Sequence, residues 1–142
     1  MPVANLNILK GHPRENLKQW IRDASAAMCR VLEAPADRLE VWVTEIDPDL
    51  WGISGEPASE AFDHTPRQQA EMPFIKMVLM RGRPVEQYHQ IIAELTRITA
   101  KNLQIDAAKV RVFIAEANPD GWGIGGIPAS VKRATELKAR MA

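Results

Sequence analysis

The sequence predicts an α/β (α+β) chain: two tandem β-α-β units that share a four-stranded sheet, with both helices on one face. Three observations carry this prediction: an internal repeat spaced by 71 residues, four short runs alternating at period two, and two longer runs at helical period. The repeat has no gap. It places Met1-Pro2 on Met72-Pro73, Gly11 on Gly82, Pro13 on Pro84 and Glu45 on Glu116. It also places Asp47-Pro48-Asp49-Leu50-Trp51-Gly52-Ile53-Ser54-Gly55 on Asn118-Pro119-Asp120-Gly121-Trp122-Gly123-Ile124-Gly125-Gly126, and Pro57-Ala58-Ser59 on Pro128-Ala129-Ser130. Agreement of this kind indicates a duplicated and fused gene. It divides the chain into units at 1–59 and 72–130, a polar linker at 60–71, and a tail at 131–142 that forms a terminal helix and is placed to cap a neighbouring subunit.

The first strand spans Val3 to Leu9, with Ala4, Leu6 and Ile8 on one face and Asn5 and Asn7 on the other; Phe74 to Met80 is its counterpart. Gly11 or Gly82 ends the strand, and Pro13 or Pro84 suits the first turn of a helix, where its missing N–H removes no intrahelical bond. Leu17, Ile21, Ala24, Met28, Val31 and Leu32 recur at helical steps in the first half; Tyr88, Ile91, Ile92, Leu95, Ile98, Thr99 and Leu103 do so in the second. Second strands follow at Leu39–Glu45 and Val110–Glu116. A helical crossover of about 20 residues implies parallel pairing within each unit. With both helices on one face, the other face of the sheet is bare, which favours self-association.

The chain has 142 residues with 18 Lys and Arg balanced by 18 Asp and Glu. No basic footprint results, so nucleic acid and anionic membrane surfaces are excluded as main partners. No apolar run approaches the roughly 20 residues of a membrane span, and the start Met1-Pro2-Val3-Ala4-Asn5 lacks the regions of a signal peptide; a cytoplasmic location is expected. Cys29 is the single cysteine and reads as a buried structural thiol. His12, His64 and His89 are not in metal-ligand spacing, so no metal site is expected. Trp51-Gly52-Ile53-Ser54-Gly55 and its repeat carry no lysine and read as hairpin turns rather than phosphate loops.

Pro2 carries the chemistry. A proline behind the initiator methionine permits removal of Met1, which would expose a secondary amine. An α-amino group has a pKa of about 7.7–8.0, and burial or nearby cations lower it, so a neutral amine near pH 7 is a competent general base. The start Pro-x-x-x-(apolar)-x-(apolar)-Leu-x-Gly, the β-α-β unit of about 60 residues and the closing Trp-Gly-Ile-x-Gly resemble the 4-oxalocrotonate tautomerase group of the tautomerase superfamily, over nearly the whole chain and twice. The resemblance implies a fused member with the tautomerase/MIF-like fold, assembled as a homo-trimer and acting without a cofactor. It further implies a proline base, arginines that bind a small anionic carboxylated substrate, and an aromatic residue that keeps the site apolar.

Carried over residue by residue, these roles divide unevenly. Pro2 matches the catalytic proline, whereas the Pro73 nitrogen is an amide bonded to Met72 and has no basic lone pair. The arginine after the strand-ending glycine is Arg83 in the second half and His12 in the first. The arginine of the later strand is Arg111 in the second half, with Glu40 in its place in the first. The aromatic stands in both halves, as Trp51 and Trp122. A composite site would join Pro2 to Arg111, Trp122 and Arg83, with His12 as a weaker, pH-dependent substitute for an arginine. Alternatively, Glu40 and Arg83 face each other around Pro73. The activity implied is enol–keto isomerisation of 2-hydroxydienoates or 2-keto acids. Two other readings are hydration-driven dehalogenation or decarboxylation, for which Glu40 or Glu56 would have to activate water, and a non-catalytic trimeric scaffold or ligand-binding module.

Overall fold

In the computed structural model, which describes residues 2–141, two β-α-β units join edge to edge through their first strands. Met1, whose removal would free the Pro2 nitrogen, and Ala142, at the end of the expected tail helix, lie outside the described residues. The elements are β1 (Val3–Leu9), α1 (Arg14–Leu32), β2 (Glu40–Ile46), β3 (Gly52–Ile53), β4 (Glu56–Pro57), α2 (Ala58–Ala61) and α3 (Arg67–Ala70) in the first part. They continue as β5 (Phe74–Met80), α4 (Val85–Leu103), β6 (Arg111–Ala117), β7 (Gly123–Ile124), β8 (Ile127–Pro128), α5 (Ala129–Lys132) and α6 (Ala134–Met141). The main sheet has the order β2-β1-β5-β6. Pairing is parallel within each unit and antiparallel between β1 and β5, where Val3 opposes Val78 and Asn7 opposes Phe74.

β2 and β6 start one residue later than their apolar alternation suggests. Leu39 and Val110 spend their N–H groups closing the 3₁₀ turns Ala36–Arg38 and Ala107–Lys109, each bond 3.2 Å, before the ladder begins.

The core lies between the sheet and the two long helices. Ala4, Leu6 and Ile8 from β1 and Ile75, Met77 and Leu79 from β5 meet Leu17, Ala24 and Met28 of α1 and Ile91, Leu95 and Ile98 of α4. Trp20, at the i+3 step from Leu17, is fully buried, and its indole N–H donates to Thr99 Oγ1 at 2.9 Å. This bond satisfies a polar atom that burial would otherwise strand. Cys29 is half-buried, contrary to the expected burial: it flanks the Ala24–Met28 stripe that faces the core.

The opposite face of the sheet shows Trp42, Phe74 and Phe113, exposed by 44%, 38% and 52%. The hairpin β3–β4 turns through Ser54 and Gly55, both with positive φ, as a tight two-residue turn requires. Segment 60–71 is folded rather than extended: Ala61, Ala70 and Glu71 are all buried. No helix among the described residues is long and apolar enough to cross a membrane.

Candidate active site

The antiparallel pairing of β1 and β5 sorts the candidate residues to two ends of the sheet. Because Val3 opposes Val78, the continuation of β5 through Met80 to Arg83 lies past the Pro2 end of β1. Glu40 joins that end, since its N–H donates to the Pro2 carbonyl at 3.1 Å. So does the loop after β6, which carries Trp122, because Met80 pairs with Ala117. The other end collects Pro73, whose carbonyl accepts the Arg111 N–H at 2.9 Å, with His12 beyond β1 and Trp51 packed near Leu9 and Ile53.

At the Pro2 end a cavity of about 60 Å³ is lined by Met80, Arg38, Arg83 and, from α6, Arg133, Glu136 and Arg140. Pro2 is buried and is not among the residues that line it. Arg83 is oriented through Nη1, which donates to the Leu32 carbonyl at 2.7 Å and to Gln87 Oε1 at 3.1 Å. Burial, and then the Arg140 charge, lower its pKa to about 10, so it remains a cation at neutral pH. The Nε atoms of Arg83 and Arg133 and the indole nitrogen of Trp122 are buried donors without a protein acceptor. An anionic ligand would satisfy such donors. Glu33, with φ of 54° at the end of α1, borders the same cavity.

At the Pro73 end the corresponding space is partly filled from within. Glu71 is fully buried and accepts the Leu9 N–H at 3.1 Å, Arg67 Nε at 2.9 Å and His12 Nε2 at 2.9 Å. An ionised carboxylate only accepts hydrogen bonds, so the His12 proton facing it is on Nε2. Burial alone would raise the Glu71 pKa, but the bonds from His12 and Arg67 and their charges outweigh it and hold the carboxyl below its usual range. Arg67 also donates to the Leu9 carbonyl at 2.9 Å and lies over the Phe62 ring. A cavity of about 180 Å³ remains beside this cluster, bordered by His12, Arg67, Glu71 and Gln104. Arg111 is exposed, its guanidinium held by the Ala108 carbonyl at 2.8 Å.

The family profile described as tautomerase enzyme matches residues 2–61 and again residues 73–132. The chain belongs to the tautomerase family. It is similar to 2-hydroxymuconate tautomerase of Pseudomonas fluorescens, 47% identical over 60 residues that are 42% of this chain and 95% of that protein. A probable tautomerase of Listeria monocytogenes is 30% identical over 59 residues, 42% of this chain and 97% of that one. Among solved structures, native fused 4-OT superposes with a TM-score of 0.81 at 27% identity over 94% of this chain and 98% of that one. A second fused 4-OT, described as a wild-type asymmetric trimer, gives 0.78 at 26% identity over the same shares.

In this tautomerase, an isomerase by family, the site residues do not all meet within one chain. Pro2, Arg83 and Trp122 share an end. Arg111 is at the other end, beside Pro73. Within one chain Arg83 and Glu40 lie at the Pro2 end and away from Pro73, because β1 and β5 run in opposite directions. His12 likewise lies away from Pro2 and is bound to Glu71. Arg38, Arg133 and Arg140, and the Glu71–Arg67 pair, had no motif in the sequence to mark them. Among the described residues no group of three His, Cys, Asp or Glu side chains is placed to hold a metal ion.

Proposed function

We propose that this tautomerase converts enol and keto forms of small carboxylated 2-hydroxydienoates or 2-keto acids, without a cofactor, at the Pro2 end of its sheet. The observation that carries the reading is that the strand pairing delivers Arg83, retained only in the second half, to the end where the first half holds Pro2. Pro2, freed by removal of Met1, takes a proton from the substrate and returns it at another carbon. Arg83 holds a carboxylate or the oxyanion that develops as the dienolate forms. Trp122 excludes water from the amine and offers its indole N–H. 2-Hydroxymuconate, on which the Pseudomonas relative is named, is the first substrate to try.

Assembly as a homo-trimer completes the site. The bare face with Trp42, Phe74 and Phe113 gives neighbouring copies an apolar surface to cover, and the fused relative above is described as a trimer. Arg111, at the far end of its own chain, would then come from a neighbour. Intact mass of the purified protein tests whether Met1 is removed, and the decay of enol absorbance tests turnover. Processed protein that fails to ketonise both 2-hydroxymuconate and phenylenolpyruvate would sink the reading.

A further inference from the structure

One wall of the Pro2-end cavity is not part of either β-α-β unit. Arg133, Glu136, Leu137 and Arg140 lie beyond residue 132, where the second family match stops, and they bring α6 across the cavity from Arg83. Arg38 fixes this wall, donating from Nη1 to both oxygens of Glu136 at 2.8 and 3.0 Å. The charges are specific to this end. Moved back by the repeat, Arg133, Glu136 and Arg140 fall on Phe62, Thr65 and Gln69, none of them charged.

Four arginines and two glutamates, Glu33 and Glu136, line a small space, leaving two positive charges unmatched. The unpartnered Nε atoms of Arg83 and Arg133 belong to different elements, the loop after β5 and the turn before α6. They mark two separate places where an acceptor is missing. We propose that the C-terminal tail supplies a second carboxylate subsite, formed by Arg133 before α6 and Arg140 on it, opposite Arg83, which makes this site select doubly charged over singly charged substrates; this rests on the reading of the Pro2 end as the active site. Glu136 is a positioning residue. Its side chain is 46% exposed and tied only to Arg38, so it aligns α6 without filling the subsite.

The test compares the full-length, Met1-processed protein on 2-hydroxymuconate, with two carboxylates, and phenylenolpyruvate, with one. Arg140→Ala and Arg133→Ala should each lower the kcat/KM ratio of the first substrate to the second by about tenfold, as expected for losing a charged hydrogen bond, and chiefly through KM. Arg140→Lys should recover part of the loss. A ratio that stays within twofold, or equal losses on both substrates, would overturn the proposal. If the unsubstituted protein turns over neither compound, the tautomerase reading fails at that point. The subsite is then judged by calorimetric titration with muconate and the monocarboxylate sorbate. A muconate preference that Arg140→Ala removes supports the subsite, and no preference in the unsubstituted protein refutes it.

Discussion

At the Pro73 end, a carboxylate from the chain itself is sealed between His12, Arg67 and the Leu9 N–H. At the Pro2 end, the matching region is ringed by arginines, and the glutamate nearest them is half exposed and bound by Arg38 alone. Both ends descend from one repeat. The difference teaches that two copies of one loop have diverged: one holds an internal carboxylate as a structural joint, and the other leaves its arginines free for the ligand we propose. The joint formed where the proline nitrogen is an amide and could do no acid–base work.

The largest effect should fall on Pro2. Pro2→Ala is expected to lower kcat/KM by about 10²–10⁴, the usual range for a positioned general base, while Pro73→Ala should stay within about threefold. A comparable loss from Pro73→Ala in a folded protein would erase the distinction between the ends. Next comes the joint. Glu71→Ala leaves Arg67 and His12 facing an emptied, buried position and should cost about 3–5 kcal/mol in urea unfolding, with catalysis at Pro2 much less affected.

The same residue sets an acid limit. The Glu71 pKa is depressed in the folded protein, so its stabilisation is complete above the ordinary carboxylate pKa of about 4.3 and drains away as pH falls through the lower folded value. Unfolding midpoints recorded from pH 6 to pH 2 should show this loss, and Glu71→Gln should flatten that part of the curve.

Gly11→Ala should cost about 1–3 kcal/mol. Gly11 has φ of 120°, and a Cβ there would meet the Arg67 guanidinium, which cannot swing away while Glu71 and the Leu9 carbonyl hold it. Smallest is Glu136→Gln, under about 1 kcal/mol by thermal melting, because an ion pair this exposed is screened by solvent. A cost at Glu136 equal to that at Glu71 would show both carboxylates to be structural and weaken the contrast.

The fold was legible because its determinants are local or periodic. Ala4, Leu6 and Ile8 alternate, Leu17, Ala24 and Met28 recur at helical steps, and the repeat doubles every signal. The division into ends was not, since it depends on β1 and β5 pairing antiparallel across 70 residues, which no neighbouring residue encodes. Glu71 was hidden for a related reason. A charged residue in a polar stretch reads as solvated, and its burial exists only because Leu9, His12 and Arg67 converge on it. The tail was readable as a helix, but its contact with Arg38 of its own chain was not.

The crossing of β1 and β5 also constrains inheritance. Gene conversion, which tends to make tandem repeats identical again, would be ruinous in one direction. Copying the first half over the second would replace Arg83 with histidine and Arg111 with glutamate, removing one guanidinium from the Pro2 end and one from the Pro73 end. On the proposed assignment of Arg83 and Arg111, the two halves work together only while they stay different.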